Sequence, residues 1–330
     1  MNCKKIKNAL FERLPLSLRF LIETLRYWRS LCRYNASKRT DSDQRKMQYT
    51  LQRETHVIEK GMSMRTTRRG FGQAKVLALM GRLQTYVEKY ADKPFVVYPL
   101  STIKEYIVFQ QKDGVAIPQI ETRFDELCKQ VGVQPSDLHL PAGIRMEQCD
   151  KLQQAAKGDF RSLLYSRHSI RYFADRLPSH QKIAEALELA SRTPSACNRQ
   201  AWHTHVYFGE DSHRLLQMQS GCNGFHDDIH CSIVVTADMK GFLGHEPFQC
   251  YVDGGLYAQN LINALHYVGL GSIPLSCGFM SNKLNEMKKC FHIPDSEVMI
   301  VIIGVGEMLP EMKIAISTRK DFTTTNVFHT

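Results

Sequence analysis

The stretch EVMIVIIGVGE (residues 297–307) is apolar at every position from Val298 to Ile303, with glycines at 304 and 306. An uncharged run of this length between two glutamates reads as a buried strand, the clearest in the chain. WHTHVYFG (202–209) and CSIVVTAD (231–238) alternate or run apolar in the same way. Helical patterns fall between them at KLQQAAKGDFRSLLYSR (151–167), HQKIAEALELASRTPSA (180–196, stopped by Pro194) and CYVDGGLYAQNLINALHYVGLG (250–271, ended by glycines). Helices interleaved with strands predict an α+β domain over residues 151–330. With 43% hydrophobic residues, the 330-residue chain can bury a sizeable core.

Residues 1–150 read differently, as a basic, mainly helical extension. Leu10, Leu14, Leu18, Leu21, Leu25, Trp28 and Cys32 recur at steps of three and four, while Arg19, Glu23, Arg26, Arg29 and Arg33 fall elsewhere on the wheel. That pattern predicts an amphipathic helix over 10–34, interrupted by Pro15. The first expectation is that its apolar stripe packs on the protein's own body; the alternative is peripheral contact with a membrane. Residues 1–70 hold 17 Lys+Arg against 6 Asp+Glu, so the net charge of +10 belongs to this segment and the rest of the chain is close to neutral. Such an arm suits an anionic partner, either lipid or nucleic acid. No recognisable nucleic-acid module stands behind it, so no nucleic acid is expected. After a polar linker, residues 51–90 read as helix, a loop punctuated by Gly61, Gly70 and Gly72, and helix.

No stretch approaches the ~20 apolar residues that span a bilayer, and the N-terminus lacks the continuous apolar core of a signal peptide. A cytoplasmic protein is expected, membrane-peripheral if the stripe docks. The ten cysteines form no C-x-x-C pair and are expected to be reduced thiols. CNGFHDDIHC (222–231) would gather Cys222, His226, His230 and Cys231 on a helical turn. It matches no standard zinc spacing, and no metal is expected.

Three polar stretches carry the chemistry. SRHSIRYF (166–173) sets Arg167 and Arg171 around Ser169, beside His168. Two guanidinium forks and a hydroxyl are the groups that hold an anion. TPSACNRQAW (193–202) packs Pro194, Ser195, Ala196, Asn198 and Gln200 just past a helix, and its amides can both donate to and accept from the edge of a planar ring. GLGSIPLSCGF (269–279) reads as a loop of small residues whose backbone N–H groups can approach a ligand closely. Arg319 follows the last strand in STRK (317–320).

In this order the set resembles the flavin-dependent nitroreductase family, over roughly residues 155–330. R-x-S-x-R (Arg167, Ser169, Arg171) is followed by P-S-A-x-N-x-Q-x-W (Pro194 to Trp202), then D-x-G-x-x-x-Q-N-L (Asp253 to Leu261), G-L-G-S (Gly269 to Ser272) and a late S-x-R (Ser317, Arg319). The resemblance implies an antiparallel-type sheet flanked by helices, FMN as cofactor, NAD(P)H as electron donor, and a site in the interface of a homodimer. It implies that Arg167, His168, Ser169, Arg171 and Arg319 hold the FMN phosphate and ribityl chain. Pro194, Ser195, Ala196, Asn198 and Gln200 would then line the ring, with Leu275, Ser276 and Cys277 at its reactive edge. Hydride would travel on the flavin, so no catalytic side chain is expected. The long helix (251–268) is expected near the twofold axis, its face of Tyr257, Leu261 and Leu265 covered by the partner.

The family's usual proline after the glutamine is Ala201 here. Cys277 is either an incidental small apolar residue or a group that tunes or caps the flavin. The extension and the stretch HVIEKG (56–61) resemble long members found among bacterial surface-polysaccharide genes. The acceptor is left open among a nitroaromatic, a quinone and a sugar-pathway intermediate. Flavin fragmentation, reductive dehalogenation and a non-enzymatic, membrane-peripheral role in polysaccharide assembly stand as the alternatives.

Overall fold

The structure, a computed structural model, describes residues 14–34, 43–90, 92–243, 246 and 248–329. The chain divides into two compact units, residues 1–58 with 72–141 and residues 59–71 with 142–330. The second unit takes in the segment 59–71 as well as residues 142–330.

In the first unit, α1 (Leu16–Tyr34) starts directly after Pro15, which interrupts the helical pattern where expected. Positions 10–13 of that expectation lie outside the described residues. Of the described stripe, Leu18, Leu21, Leu25 and Trp28 are exposed, against the first expectation, while Leu14 is half-buried. Helices α2 (Gln44–Met62), α3 (Gln73–Tyr90), α4 (Lys93–Lys112) and α5 (Pro118–Val131) follow. Their core is built from Leu51, Leu79, Leu83, Leu100, Ile103 and Phe124. Asp92 ties the α3–α4 turn, accepting from the Phe95 N–H at 3.4 Å and the Tyr86 hydroxyl at 2.7 Å. Gly132, at φ 74°, ends α5 in the left-handed conformation that favours glycine.

The second unit is α+β. Its elements are β1 (Ile144–Gln148), α6 (Cys149–Ala156), α7 (Phe160–Ser166), α8 (His180–Ala190), β2 (Trp202–Phe208), α9 (Gly209–Gln219), β3 (Cys231–Asp238), α10 (Gln249–Tyr267), β4 (Leu270–Ser276), α11 (Ser281–Cys290), β5 (Glu297–Glu307) and β6 (Glu311–Ala315). Strands β2-β3-β5-β4 form an antiparallel sheet, and β1 pairs with β6. The apolar run that marked β5 has its reason here. Ile303 and Val305 face one core with α8 and α10, while Ile302 faces another with Leu215, Leu216 and Met287. Both faces are covered, so period-two alternation disappears from the sequence.

Two sequence expectations change. GLGSIPLSC is not a loop: Leu270–Ser276 is an edge strand paired to β5. Pro274 is tolerated there because an edge strand need not donate on both sides. Tyr257, Leu261 and Leu265 do not await a partner but pack into the chain's own core. The exposed face of α10 carries Tyr251, Val252 and Leu256 instead.

Candidate functional site

Helix α7 ends at Ser166, and residues 167–173 continue extended along the free edge of β4. Ser169 bridges Ser272 in parallel, and the Ile170 N–H donates to the Ser272 carbonyl at 3.0 Å. Phe173 then opposes Met308 at the end of β5. Gly306 makes this crossing possible, since a Cβ there would lie 2.6 Å from the Phe173 ring.

Arg167, His168, His266 and Ser272 line one narrow crevice. Burial lowers the Arg167 pKa, and the charge of the Arg319 guanidinium adds to that shift. His168 is pushed down to about 4 by burial and by the charges of Arg145 and Arg167. The Arg145 guanidinium donates to its Nε2 at 2.9 Å. His266 is likewise held down at about 4, by burial and then by Arg167, with its Nε2 2.8 Å from the Ser166 hydroxyl. At neutral pH two uncharged imidazoles thus flank Arg167 in the crevice, with the like charge of Arg319 bearing on it, while Arg145 is paired with the Glu147 carboxylate at 2.5 Å. The like charges of Arg167 and Arg319 favour an anion beside them, and guanidinium forks match phosphate oxygens. Arg145 and His266 were absent from the sequence-based set. Neither belongs to a local motif, and β1 and the end of α10 reach the crevice through tertiary packing.

Arg171 is not among the residues that line this crevice. It is 6% exposed, its Nε has no hydrogen-bond partner, and the charges that bear on it are those of Tyr172 and Glu59. Glu59, fully buried, accepts from the Gly143 N–H at 3.1 Å, and its charge favours the Arg171 guanidinium.

The 193–202 loop is held by α10. Buried Asp253 accepts from the Ala196 N–H at 3.1 Å and from Gln249 at 2.8 Å. The Asn260 amide donates to the Thr193 hydroxyl at 2.7 Å. Within the loop, the Gln200 N–H donates to the Ser195 hydroxyl at 2.9 Å and the Gln200 side chain to Asn198 Oδ1 at 3.0 Å. Arg199 pairs bidentately with Glu246 at 2.6 and 2.8 Å. Cys197, Asn198 and Gln200 all take positive φ (51°, 55° and 50°), a strained conformation for residues other than glycine that recurs at ligand sites. Pro194, Asn198 and Gln200 are exposed. The D-x-G-x-x-x-Q-N motif thus acts on this loop through Asp253 and Asn260. Asp253 and His266 are thirteen residues apart on α10, so the loop and the crevice are anchored about 20 Å apart along one helix axis.

Leu275 is a core residue, buried at 7% exposure. Ser276 is exposed, and its carbonyl accepts from Gln219 at 3.2 Å. Burial pushes the Cys277 thiol up to about 12, so it is a neutral group packed on the core and not a thiolate. The Cys222–Cys231 cluster is dispersed: His230 pairs with Asp175 at 2.9 Å, the Cys222 thiol donates to the Leu216 carbonyl, and Cys231 lies buried in β3. Among the described residues no group of three or more His, Cys, Asp or Glu side chains is placed to hold a metal ion.

Residues 164–235 match the model of the nitroreductase family. An Archaeoglobus fulgidus protein named "Putative NADH dehydrogenase/NAD(P)H nitroreductase" is 26% identical over 162 residues, 49% of this chain and 86% of that protein. A 4-nitrobenzoate reductase of Nocardioides sp. is 38% identical over 56 residues, 17% of this chain and 23% of the other. Among solved structures, a Desulfovibrio desulfuricans "putative nitroreductase in complex with fmn" covers 52% of this chain and 98% of its own, at 18% identity and a TM-score of 0.45.

Proposed function

We propose, from the premise that residues 164–235 place this chain in the nitroreductase family, that it is an FMN-dependent NAD(P)H oxidoreductase acting on a small-molecule acceptor. The observation that carries the reading is the narrow crevice lined by Arg167, His168, His266 and Ser272, with the charge of Arg319 bearing on Arg167. The chemistry of these groups suits a phosphate: Arg167 and Arg319 would bind its oxygens, with His168 and Ser169 at its flank. Bound FMN would supply the two-electron chemistry, taking hydride from NADH or NADPH and passing it to the acceptor. The chain's own part is to bind, orient and desolvate. The Asn198 and Gln200 amides, held by Asp253 through the loop, would orient the ring edge. Cys277, kept neutral by burial, contributes bulk and no charge.

The site is read as shared between two copies. In one chain the loop and the crevice are anchored about 20 Å apart on α10, and the adjoining face of that helix exposes Tyr251, Val252 and Leu256. A twofold pairing of α10 would bring the 194–200 loop of one copy toward the Arg167 crevice of the other and cover that face. Titration of the protein with FMN tests the cofactor, and anaerobic addition of NADH or NADPH tests the donor by loss of flavin absorbance. A protein that leaves FMN fluorescence unquenched overturns the assignment. Light scattering should give a dimer that Leu256→Lys dissociates with loss of FMN; a flavin-loaded monomer refutes the shared site. The acceptor is placed among nitroaromatics, quinones and sugar-pathway intermediates, and turnover of one of each class against NAD(P)H oxidation sorts them.

A further inference from the structure

We propose that α1 is a peripheral anchor that lays the protein on the surface of an anionic phospholipid bilayer. Leu18, Leu21, Leu25 and Trp28 fall within a stripe roughly 80° wide at 100° per residue, and they are 39%, 54%, 48% and 58% exposed. Cys32, also exposed, continues the stripe. An amphipathic helix ordinarily turns such a stripe onto a core, and single exposed apolar residues are unremarkable. Four large ones aligned on one helix and facing solvent mark a contact surface.

The chemistry of the partner follows from charge. Arg29 is exposed on the same helix, and residues 1–70 carry 17 basic against 6 acidic residues while the remainder is near neutral. A stripe of leucines alone would suit another protein, and a basic arm alone would suit nucleic acid. The two together suit a bilayer, where apolar side chains enter the acyl boundary and guanidinium groups stay with phosphate headgroups. Trp28 has the amphipathic ring that settles at headgroup level. No helix among the described residues is long and apolar enough to cross a membrane, so α1 would lie in the plane of the surface.

The test is co-sedimentation of the full chain with vesicles of phosphatidylcholine alone and of phosphatidylcholine mixed with phosphatidylglycerol, at low and high salt. The protein should pellet with the anionic vesicles, stay in solution with the neutral ones and be released by salt, since each basic side chain near the surface strengthens partition about fivefold. The triple change Leu21→Ser, Leu25→Ser, Trp28→Ser should weaken partition by about tenfold or more. FMN binding and the melting temperature of the rest of the protein should be unchanged. Should the triple variant fail to fold, Arg29→Gln serves as the second variant and should weaken partition on anionic vesicles about fivefold. Equal, weak binding to both vesicle types overturns the proposal, as does partition indifferent to these substitutions. A change of molar mass in light scattering without any vesicle effect would overturn it too, and would mean that a second copy covers the stripe.

Discussion

Replacing Arg167 by methionine should move FMN affinity and stability in opposite directions. Methionine keeps the apolar stem against the crevice wall and removes the charge. If the guanidinium holds phosphate, one charge-assisted contact of about 1.5–3 kcal/mol is lost, which corresponds to roughly ten- to hundredfold weaker FMN binding. Without FMN, the charge that bears on Arg167 is the like charge of Arg319. Its removal relieves repulsion and desolvation, so the apoprotein should melt at the same temperature or slightly higher, by about 0–1 kcal/mol given the exposure of Arg319. The assays are quenching of FMN fluorescence and a thermal melt of apoprotein, each repeated at higher salt, where the variant should lose less affinity than the parent. A change in FMN affinity smaller than about threefold, under 0.7 kcal/mol, would refute the phosphate role. A clear drop in the apoprotein melting temperature would show that Arg167 serves the fold instead.

Burial and Arg167 hold His266 at about 4 against an ordinary 6.5, so as pH falls through that window the unfolded chain takes up a proton that the folded chain refuses. The contribution is fully present above pH 6.5 and is lost toward pH 4, at most about 3 kcal/mol; His266→Gln should flatten that part of the pH dependence in urea unfolding. Asp253→Asn leaves a donor facing either the Ala196 N–H or the Gln249 amide. It should cost about 1.5–3 kcal/mol in a denaturant melt and weaken FMN binding as the strained loop relaxes. Gly306→Ala would place a methyl 2.6 Å from the Phe173 ring and should destabilise by about 1–3 kcal/mol, read by calorimetry.

What the sequence made legible was local. Arg167, Ser169 and the Asn198–Gln200 loop stand out because the proposed anion and ring recognition would need particular groups within a few residues, and β5 because burial on both faces leaves an unbroken apolar run. Leu270–Ser276 looked like a loop because small residues and Pro274 are turn signals; an edge position, unseen in one dimension, overrides them. The apolar positions of α10 were visible, but which face meets the chain's own sheet depends on how Ile303 and Val305 lie beneath it. That the charge of Glu59 would bear on Arg171 was not legible, because the two lie more than a hundred residues apart in sequence.

Uneven thiol burial makes the protein chemically addressable. Cys128 and Cys222 are pushed up to about 11, and Cys231 and Cys277 to about 12, so at neutral pH almost none of each is thiolate. Among the described cysteines the exposed ones are Cys32, Cys197 and Cys290. Among the described cysteines a maleimide probe would therefore enter at α1, at the strained loop and at the end of α11, leaving the core thiols untouched. A fluorophore on Cys32 would test the proposed lipid contact and one on Cys197 the proposed ring site, while Cys290 provides an internal reference.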